Sequence, residues 1–194
     1  MRQCAKVRKT AETEISVNLN IDGEGKYKIN TGINFLNHML EQFAHHSGIN
    51  LEINAVSHDK DSHHIVEDIA ITLGSAISEA LGDKKGINRY GEKILPMDEA
   101  LILSVVDLSG RVFSKVDVIL SDERTSDFET VLLPHFFSSF AQAAMMTIHI
   151  KMIDGYDTHH IIEAVFKSFA RALKTAMAYD EKSLNKIPST KGIL

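Results

Sequence analysis

The sequence carries the pattern His-His-x-x-Glu twice, at residues 63–67 and again at residues 159–163. If each pattern opens a helix, side chains three and four positions apart share a face, so the glutamate lies beside both histidines. The two adjacent histidines, however, point about 100° apart around the helix axis. One metal ion is therefore a poor fit for both, whereas two ions on either side of the helix can each take one.

Two further histidines, His38 and His135, precede the two patterns and lie 97 residues apart. With them the chain offers six imidazoles and two carboxylates, which divide naturally into two sets of three nitrogens and one oxygen. Such sets leave open positions on a six-coordinate ion such as manganese, as a catalytic site requires. The candidate metal ligands are His38, His63, His64, Glu67, His135, His159, His160 and Glu163.

The repeated pattern belongs to a longer internal repeat. Residues 62–67 match residues 158–163 at a separation of 96, and residues 35–40 match residues 132–137 at a separation of 97. Self-similarity at a nearly constant spacing indicates that one structural unit has been duplicated. We therefore expect an α+β fold with an internal duplication of two similar halves, each a mostly antiparallel sheet packed against two helices.

Hydrophobic periodicity predicts the elements of each half. Strand 13–21 is expected to form a hairpin with 26–30, and two strands are expected to flank the turn at 108–110. The predicted strands are 13–21, 26–30, 49–53, 101–107, 111–119 and 147–150, and the predicted helices are 39–46, 64–81, 136–146 and 160–179. The polar, glycine-rich stretch 82–91 marks a boundary. We expect one compact unit made of a first half-repeat (1–86), a second half-repeat (87–180) and a C-terminal tail (181–194) that closes over the substrate.

Composition and charge exclude several classes of protein. The 194 residues are 44% hydrophobic and 24% charged, which is ordinary for a soluble domain. An apolar run long enough to cross a membrane is absent from the sequence, and the net charge of −5 argues against a general nucleic-acid binder. The N-terminal residues lack the apolar stretch of a signal peptide, and Cys4 is the single cysteine, so we expect the protein in the cytoplasm.

A second set of polar residues suits a phosphate monoester. Guanidinium, ammonium and hydroxyl groups are the groups that bind such an anion. The candidates lie in turns, on a helix face and in the C-terminal tail, and they are Arg89, Arg111, Lys167, Ser189, Thr190 and Lys191.

Together these motifs resemble the imidazoleglycerol-phosphate dehydratase family from Arg8 to Leu194, nearly the whole chain. The segments that carry the resemblance are 8–13, 35–40, 63–68, 97–101, 159–164 and the Ser-Thr-Lys-Gly at 189–192. The sequence departs from the family's pattern at Asn37 and at 60–62, where acids are usual. Because such acids orient metal-bound imidazoles, we expect these changes to weaken metal binding modestly without removing a ligand.

The resemblance implies manganese-dependent dehydration of D-erythro-imidazole-glycerol phosphate to imidazole-acetol phosphate in histidine biosynthesis, through a metal-bound imidazolate. It implies two manganese ions per active site, at subunit contacts in a 24-subunit shell, so the eight ligands need not come from one chain. Glu12 and His46 would face the substrate, and we expect them to transfer protons. The expected substrate contacts are Glu12, His38, His46, His63, Glu67, Arg89, Arg111, His159, Lys167, Ser189, Thr190 and Lys191.

Two other classes of function use the same residue types. A dinuclear metallohydrolase would direct a metal-bridging hydroxide at a simple phosphate ester. A non-catalytic metal-binding assembly would hold the ions without turnover and would have no use for the basic residues. The partners expected from the sequence and the resemblance are a small phosphate-bearing substrate and other copies of the chain, not nucleic acid or a membrane.

Overall fold

The computed structural model describes residues 2–193, within which ten strands and four helices form two four-stranded sheets, a two-stranded ribbon and the helices between them. In chain order the elements are β1 (Gln3–Lys9), β2 (Thr13–Asn20), β3 (Tyr27–Asn30), α1 (Asn34–Ser47), β4 (Asn50–Ser57), α2 (Ser62–Leu81), β5 (Tyr90–Met97), β6 (Ala100–Asp107), β7 (Phe113–Asp117), β8 (Arg124–Thr125), β9 (Phe128–Glu129), α3 (Leu132–Ala144), β10 (Thr147–Asp154) and α4 (Thr158–Met177).

The two sheets have the same strand order, which confirms the predicted duplication. The first sheet runs β1-β2-β4-β3 and the second runs β5-β6-β10-β7. In both, the first three strands are antiparallel neighbours and the last strand pairs in parallel. The turn after the first helix of each half is also shared: Gly48 ends α1 with φ 80°, and Met145, 97 positions later, ends α3 in the same left-handed conformation with φ 53°. The ribbon of β8 and β9 has no counterpart among the described residues of the first half.

The predicted hairpin of strands 13–21 and 26–30 is wrong. β3 pairs in parallel with β4, and β1, which periodicity did not predict, is the antiparallel neighbour of β2. The inward positions of β1 are Cys4, Lys6 and Arg8. Their polar groups bond residues of α2, since Lys6 donates to Ser75 and Arg8 pairs with Asp68. This strand therefore lacks the apolar alternation by which strands are predicted.

In the second half β5 is also absent from the predicted strands, because its first residues lie in the glycine-rich boundary stretch 82–91. The helices α1 and α3 begin earlier than the predicted 39 and 136. Asp127, far away in sequence, caps α1 by accepting hydrogen bonds from the backbone N–H groups of Asn34 and Phe35. Pro134 lies in the first turn of α3, where the missing N–H costs nothing. As a result His38 and His135 lie within these helices.

The helices form a layer whose most extensive helix–helix contacts join the two halves. α2 packs on α3, and α1 packs on α4. Buried phenylalanines connect α1, α3 and α4: the rings of Phe43 and Phe169 stack with centroids 5.9 Å apart, and Phe140 meets Phe169 at 5.4 Å. Because the halves share this core, the ends of helices from different halves lie side by side. Within residues 2–193, no helix is both long enough and apolar enough to span a bilayer.

Candidate functional site

Both His-His-x-x-Glu patterns open helices, which begin two residues before the predicted starts at 64 and 160. Asp61 caps α2 by accepting from the backbone N–H of His63, and Asp157 caps α4 by accepting from that of His160. These caps satisfy N–H groups that a helix end leaves free and fix where the helix starts. The first histidine of each pattern and the glutamate four positions later therefore lie on one face.

The first cluster of candidate ligands, which we term the α4 cluster, contains His38, His159 and Glu163. His38 comes from α1 in the first half, and the other two come from α4 in the second half. Glu163 Oε2 lies 3.2 Å from His159 Nε2 and 3.5 Å from His38 Nε2. The other carboxylate oxygen, Oε1, accepts from Lys167 Nζ at 2.5 Å. The carboxylate thus turns one oxygen to the imidazoles and one to the lysine.

The second cluster, termed the α2 cluster, has the same composition and the same crossed origin. His63 and Glu67 come from α2 in the first half, and His135 comes from α3 in the second half. The rings of His63 and His135 stack with centroids 4.2 Å apart, and His135 Nε2 lies 3.7 Å from Glu67 Oε1.

These donor sets fit a divalent cation. In each cluster one nitrogen or oxygen from each of three residues lies within 4.8 Å of the others. His135 Nε2 is buried and has no hydrogen-bond partner among the described residues, which is costly unless another group binds it. Imidazole nitrogens with a carboxylate oxygen suit first-row divalent ions, manganese among them.

The remaining two candidate ligands, His64 and His160, belong to neither cluster, because the helix turns them away as the spacing predicted. Each is held by a carboxylate at its Nδ1: Asp59 lies 2.6 Å from His64, and Glu99 lies 2.7 Å from His160. These hydrogen bonds raise the pKa of both imidazoles. One chain therefore brings together two sets of two nitrogens and one oxygen. The expected sets of three nitrogens and one oxygen, whose ligands need not come from one chain, stay a prediction.

Asp59 and Glu99 were given no role from the sequence. Backbone N–H groups and the neighbouring histidine lower the pKa of each carboxyl to about 2, so both are ionised at neutral pH. In Glu99 the backbone donors are those of Asp157 and Tyr156, at the start of α4. A signal for Glu99 existed in the repeat, because it precedes β6 as Glu12 precedes β2, 87 residues earlier.

Glu12 therefore occupies the position of Glu99 but makes a different contact. Its carboxylate lies 3.8 Å from His64 Nδ1, and Asp59 takes the hydrogen bond that Glu99 makes in the other half. The backbone holds Glu12 in place, since its N–H donates to Thr10 Oγ1 and its carbonyl accepts from His58 N–H. Half of the side chain is exposed, so this carboxylate is available to a ligand.

His46 lies on α1 near Lys167 and Glu163. Burial, together with the positive charge of Arg171 and the neighbouring histidine and lysine, lowers the pKa of His46 to about 4. The ring is neutral at pH 7 and can accept a proton but not donate one from an imidazolium. Its Nδ1 is buried without a hydrogen-bond partner among the described residues.

The basic residues predicted to bind phosphate form two separate groups in one chain. Arg89 and Arg111 share Asp107, and the C-terminal tail passes beside them, because Arg89 Nη1 donates to the carbonyl of Pro188. Lys167 instead contacts Met97 at the other end of β5. Eight residues of strand span about 25 Å, so one phosphate cannot contact both groups within one chain.

Fold and site together define a duplicated α+β protein in which two related clusters of imidazoles and a carboxylate each join the two halves. The sequence model of the imidazoleglycerol-phosphate dehydratase family matches residues 31–173. A relative of that name from Desulforamulus reducens is 47% identical over 194 residues, which cover 100% of this chain and 98% of the relative.

Two solved structures have the same fold. The imidazoleglycerol-phosphate dehydratase of Staphylococcus aureus is 40% identical with a TM-score of 0.83, covering 92% of this chain and 99% of that one. The corresponding protein of Pyrococcus furiosus is 39% identical with a TM-score of 0.85, covering 97% and 100%. The chain belongs to the imidazoleglycerol-phosphate dehydratase family and is a carbon–oxygen lyase.

Proposed function

We propose that this protein dehydrates D-erythro-imidazole-glycerol phosphate to imidazole-acetol phosphate, in histidine biosynthesis in the cytoplasm, and that the reaction depends on manganese. The observation that carries the proposal is the pair of His/Glu clusters in a chain of this family, each with one carboxylate and two imidazoles in reach of one ion. In the reaction the hydroxyl next to the ring leaves, the following carbon loses its proton, and the enol becomes the ketone.

Two Mn²⁺ ions would be held by the α4 cluster and the α2 cluster, with His64 and His160 as further ligands. When bound, they would act as Lewis acids on the imidazole ring of the substrate and as a template for its position. The Nδ1–H groups of His64 and His160 donate to Asp59 and Glu99, which leaves Nε2 as the nitrogen that these two histidines would offer to metal.

We further propose that each site is completed by another copy of the chain, within a shell of 24 subunits. In support, each cluster has two imidazoles, and His64 and His160, which point away from both clusters, would serve a neighbour's cluster. The separation of Lys167 from Arg89 along β5 favours the same arrangement, because a phosphate bound by both needs residues of two chains.

The outer face of the second sheet supports self-association. Leu101, Leu103 and Val105 point outward from β6, and Ile94, opposite Leu103 on β5, is 54% exposed. The counterparts of the three β6 residues in the first sheet, 87 positions earlier, are Glu14, Ser16 and Asn18. The apolar outward side chains of β6, at positions where β2 has polar ones, favour an interface that uses the second sheet.

Within the completed site, Glu12 and His46 are proposed to move protons. Glu12 has an exposed carboxylate that no hydrogen bond to an imidazole occupies, and the low pKa of His46 keeps it a proton acceptor at pH 7. The remaining substrate contacts are proposed for metal-ligand residues and for the phosphate-binding candidates, namely His38, His63, Glu67, Arg89, Arg111, His159, Lys167, Ser189, Thr190 and Lys191. The tail, residues 181–194, is proposed to close over the substrate. The half-repeat boundary at residues 86 and 87 also stays a prediction.

The test uses metal-stripped full-length protein, assayed for ketone formation from imidazole-glycerol phosphate with and without added Mn²⁺. We expect turnover only with manganese, together with about two bound ions per chain. The matched control is His45→Gln, which removes an exposed histidine outside the ligand set. Bound metal without ketone would contradict the dehydratase. Cleavage of a simple phosphate ester would then identify a metallohydrolase, and the absence of any turnover a metal-binding assembly.

A further inference from the structure

Asp107, the last residue of β6, lies between the two arginines predicted to bind phosphate. Its Oδ1 accepts from Arg89 Nε at 2.7 Å, and its Oδ2 lies 3.3 Å from Arg89 Nη2 and 3.8 Å from Arg111 Nη2. The Asp107 and Arg89 side chains are 17% and 11% exposed, whereas that of Arg111 is 72% exposed. Two-point contact fixes the plane of the Arg89 guanidinium and leaves Arg111 free to reach a ligand.

Arg89 connects this carboxylate to the C-terminal tail. Its Nη1 donates to the carbonyl oxygen of Pro188 at 2.9 Å, directly before the hydroxyl and lysine residues of 189–191. Three bonds to protein atoms therefore occupy one guanidinium, on a residue whose backbone adopts the left-handed conformation with φ 71°. A non-glycine residue is kept in that conformation only where its surroundings require it.

A buried lysine supports the same corner. Lys84 is 7% exposed, and its Nζ donates to the carbonyl of Leu108, the residue after Asp107. Asp107 is thus one carboxylate facing three cations, Lys84, Arg89 and Arg111, and the local charge is +2. A corner with two uncompensated positive charges suits a dianion such as a phosphate monoester.

We propose that Asp107 is a positioning residue that couples phosphate binding to docking of the tail. Asp107 orients Arg89, and Arg89 binds the carbonyl of Pro188, the residue before the hydroxyl and lysine side chains of the tail. Residues 189–191 are thereby presented to the phosphate that Arg111 also binds. The identity of the phosphate ligand rests on the proposed function. The coupling itself rests on the contacts among Asp107, Arg89 and Pro188.

The test compares Asp107→Asn with Asp117→Asn, a matched change of an exposed aspartate on β7 of the same sheet. Amide hydrogen exchange of residues 186–193 is measured in the full-length protein without substrate, where the N–H groups of Ser189 and Gly192 donate to backbone carbonyls. We expect about tenfold faster exchange in Asp107→Asn, because one charge-assisted hydrogen bond is worth about tenfold in an equilibrium. Asp117→Asn should exchange as the unchanged protein does.

Binding of inorganic phosphate, followed by calorimetry on the same variants, tests the coupling. Asp107→Asn removes a negative charge, which by itself would favour an anion, so weaker binding reports the lost orientation of Arg89 and the tail. We expect it to weaken phosphate binding about tenfold and to raise KM for the substrate similarly, with kcat changed less than about twofold. Arg89→Lys keeps the charge but cannot make both contacts, so it should loosen the tail as well if Asp107→Asn does not fold. Unchanged tail exchange, or a loosened tail with unchanged phosphate affinity, would overturn the proposal. If the protein forms no ketone but Asp107→Asn still speeds exchange in the tail and weakens phosphate binding, the proposed function is wrong and the coupling is supported.

Discussion

The α4 and α2 clusters have the same ligand types and the same crossed origin, yet their surroundings differ. The Glu163 side chain is 8% exposed and bonds Lys167 four positions later, whereas the Glu67 side chain is 37% exposed and has Ile71 at the corresponding position. His46 lies near Glu163, and its counterpart 97 positions later is Ala143. Duplication preserved the ligands while the neighbouring ionisable groups remained on one side only.

The difference shows how a buried carboxylate is kept charged without metal. Burial by itself raises the pKa of Glu163, but the hydrogen bond and charge of Lys167, with the charge of His38, lower it below its usual value. Glu67 is open to water and needs no such partner. The two clusters are therefore expected to respond equally to loss of a ligand and unequally to loss of a buried charge.

The largest effect is expected from removing one ligand carboxylate from either cluster. Glu163→Gln and Glu67→Gln should each lower the manganese content by about one ion per chain and reduce kcat by about a thousandfold. The reason is that a Lewis-acid metal stabilises the transition state by several kcal/mol, and 1.36 kcal/mol is a factor of ten. Metal analysis and steady-state kinetics on both variants provide the measurement. If one of them keeps both ions and full turnover, that cluster is not a catalytic metal site.

The next effect separates Glu12 from its counterpart Glu99. Glu12→Gln should keep the metal content and lower kcat about a hundredfold, as loss of a proton-transfer group does. Glu99→Gln should instead lower manganese affinity by about ten- to a hundredfold, because His160 loses the group that orients it. Metal titration and kcat at saturating manganese distinguish them. The assignment fails if Glu12→Gln turns over normally, or if Glu99→Gln binds manganese as tightly as the unchanged protein.

A smaller effect concerns stability without metal. Glu163→Gln leaves the mostly buried Lys167 ammonium without its carboxylate and should lower the free energy of unfolding by about 2 kcal/mol. Glu67→Gln, at an exposed carboxylate, should change it by less than about 0.5 kcal/mol. Denaturant unfolding of the metal-stripped variants measures both. The double variant Glu163→Gln with Lys167→Met should recover part of the loss, and equal losses in the two single variants would contradict the comparison.

The comparison also shows what the sequence could predict. The eight candidate ligands, the duplication and the divergence of His64 from His63 all follow from residue types and helical spacing. Which histidines share an ion does not, because His38 and His135 each join the cluster of the other half through packing between α1 and α4 and between α2 and α3. Long-range contacts of this kind leave no periodic signal in one sequence.

Other features were missed for the same reason. Asp127, which caps α1, lies 92 positions after Phe35, whose N–H it accepts from. The start of the helix could therefore not be predicted from local residues. β1 was not predicted because two of its three inward side chains, Lys6 and Arg8, are polar and bond α2. The correspondence between Glu99 and Glu12 is detected only when the strands of the two halves are aligned. Their spacing is 87, which differs from the spacing of the histidine motifs. The ribbon of β8 and β9 lies between the regions with these two spacings.

The smallest effect sharpens the comparison at His46, which the second half replaces with Ala143. The folded-state pKa of about 4 lies below the ordinary 6.5, so between these values the unfolded chain binds a proton that the folded chain does not. Its contribution to stability is therefore complete above pH 6.5 and is lost as the pH falls towards 4. The loss should stay below about 1 kcal/mol, since the ring is partly exposed and water screens it.

Urea unfolding of metal-stripped protein between pH 4.5 and 7 measures this loss. The free energy of unfolding should decline less steeply with falling pH in His46→Gln than in His45→Gln, the control at the exposed neighbour. Equal slopes would mean that His46 is not held neutral by its surroundings, and its proposed role as a proton acceptor beside the α4 cluster would lose its physical basis.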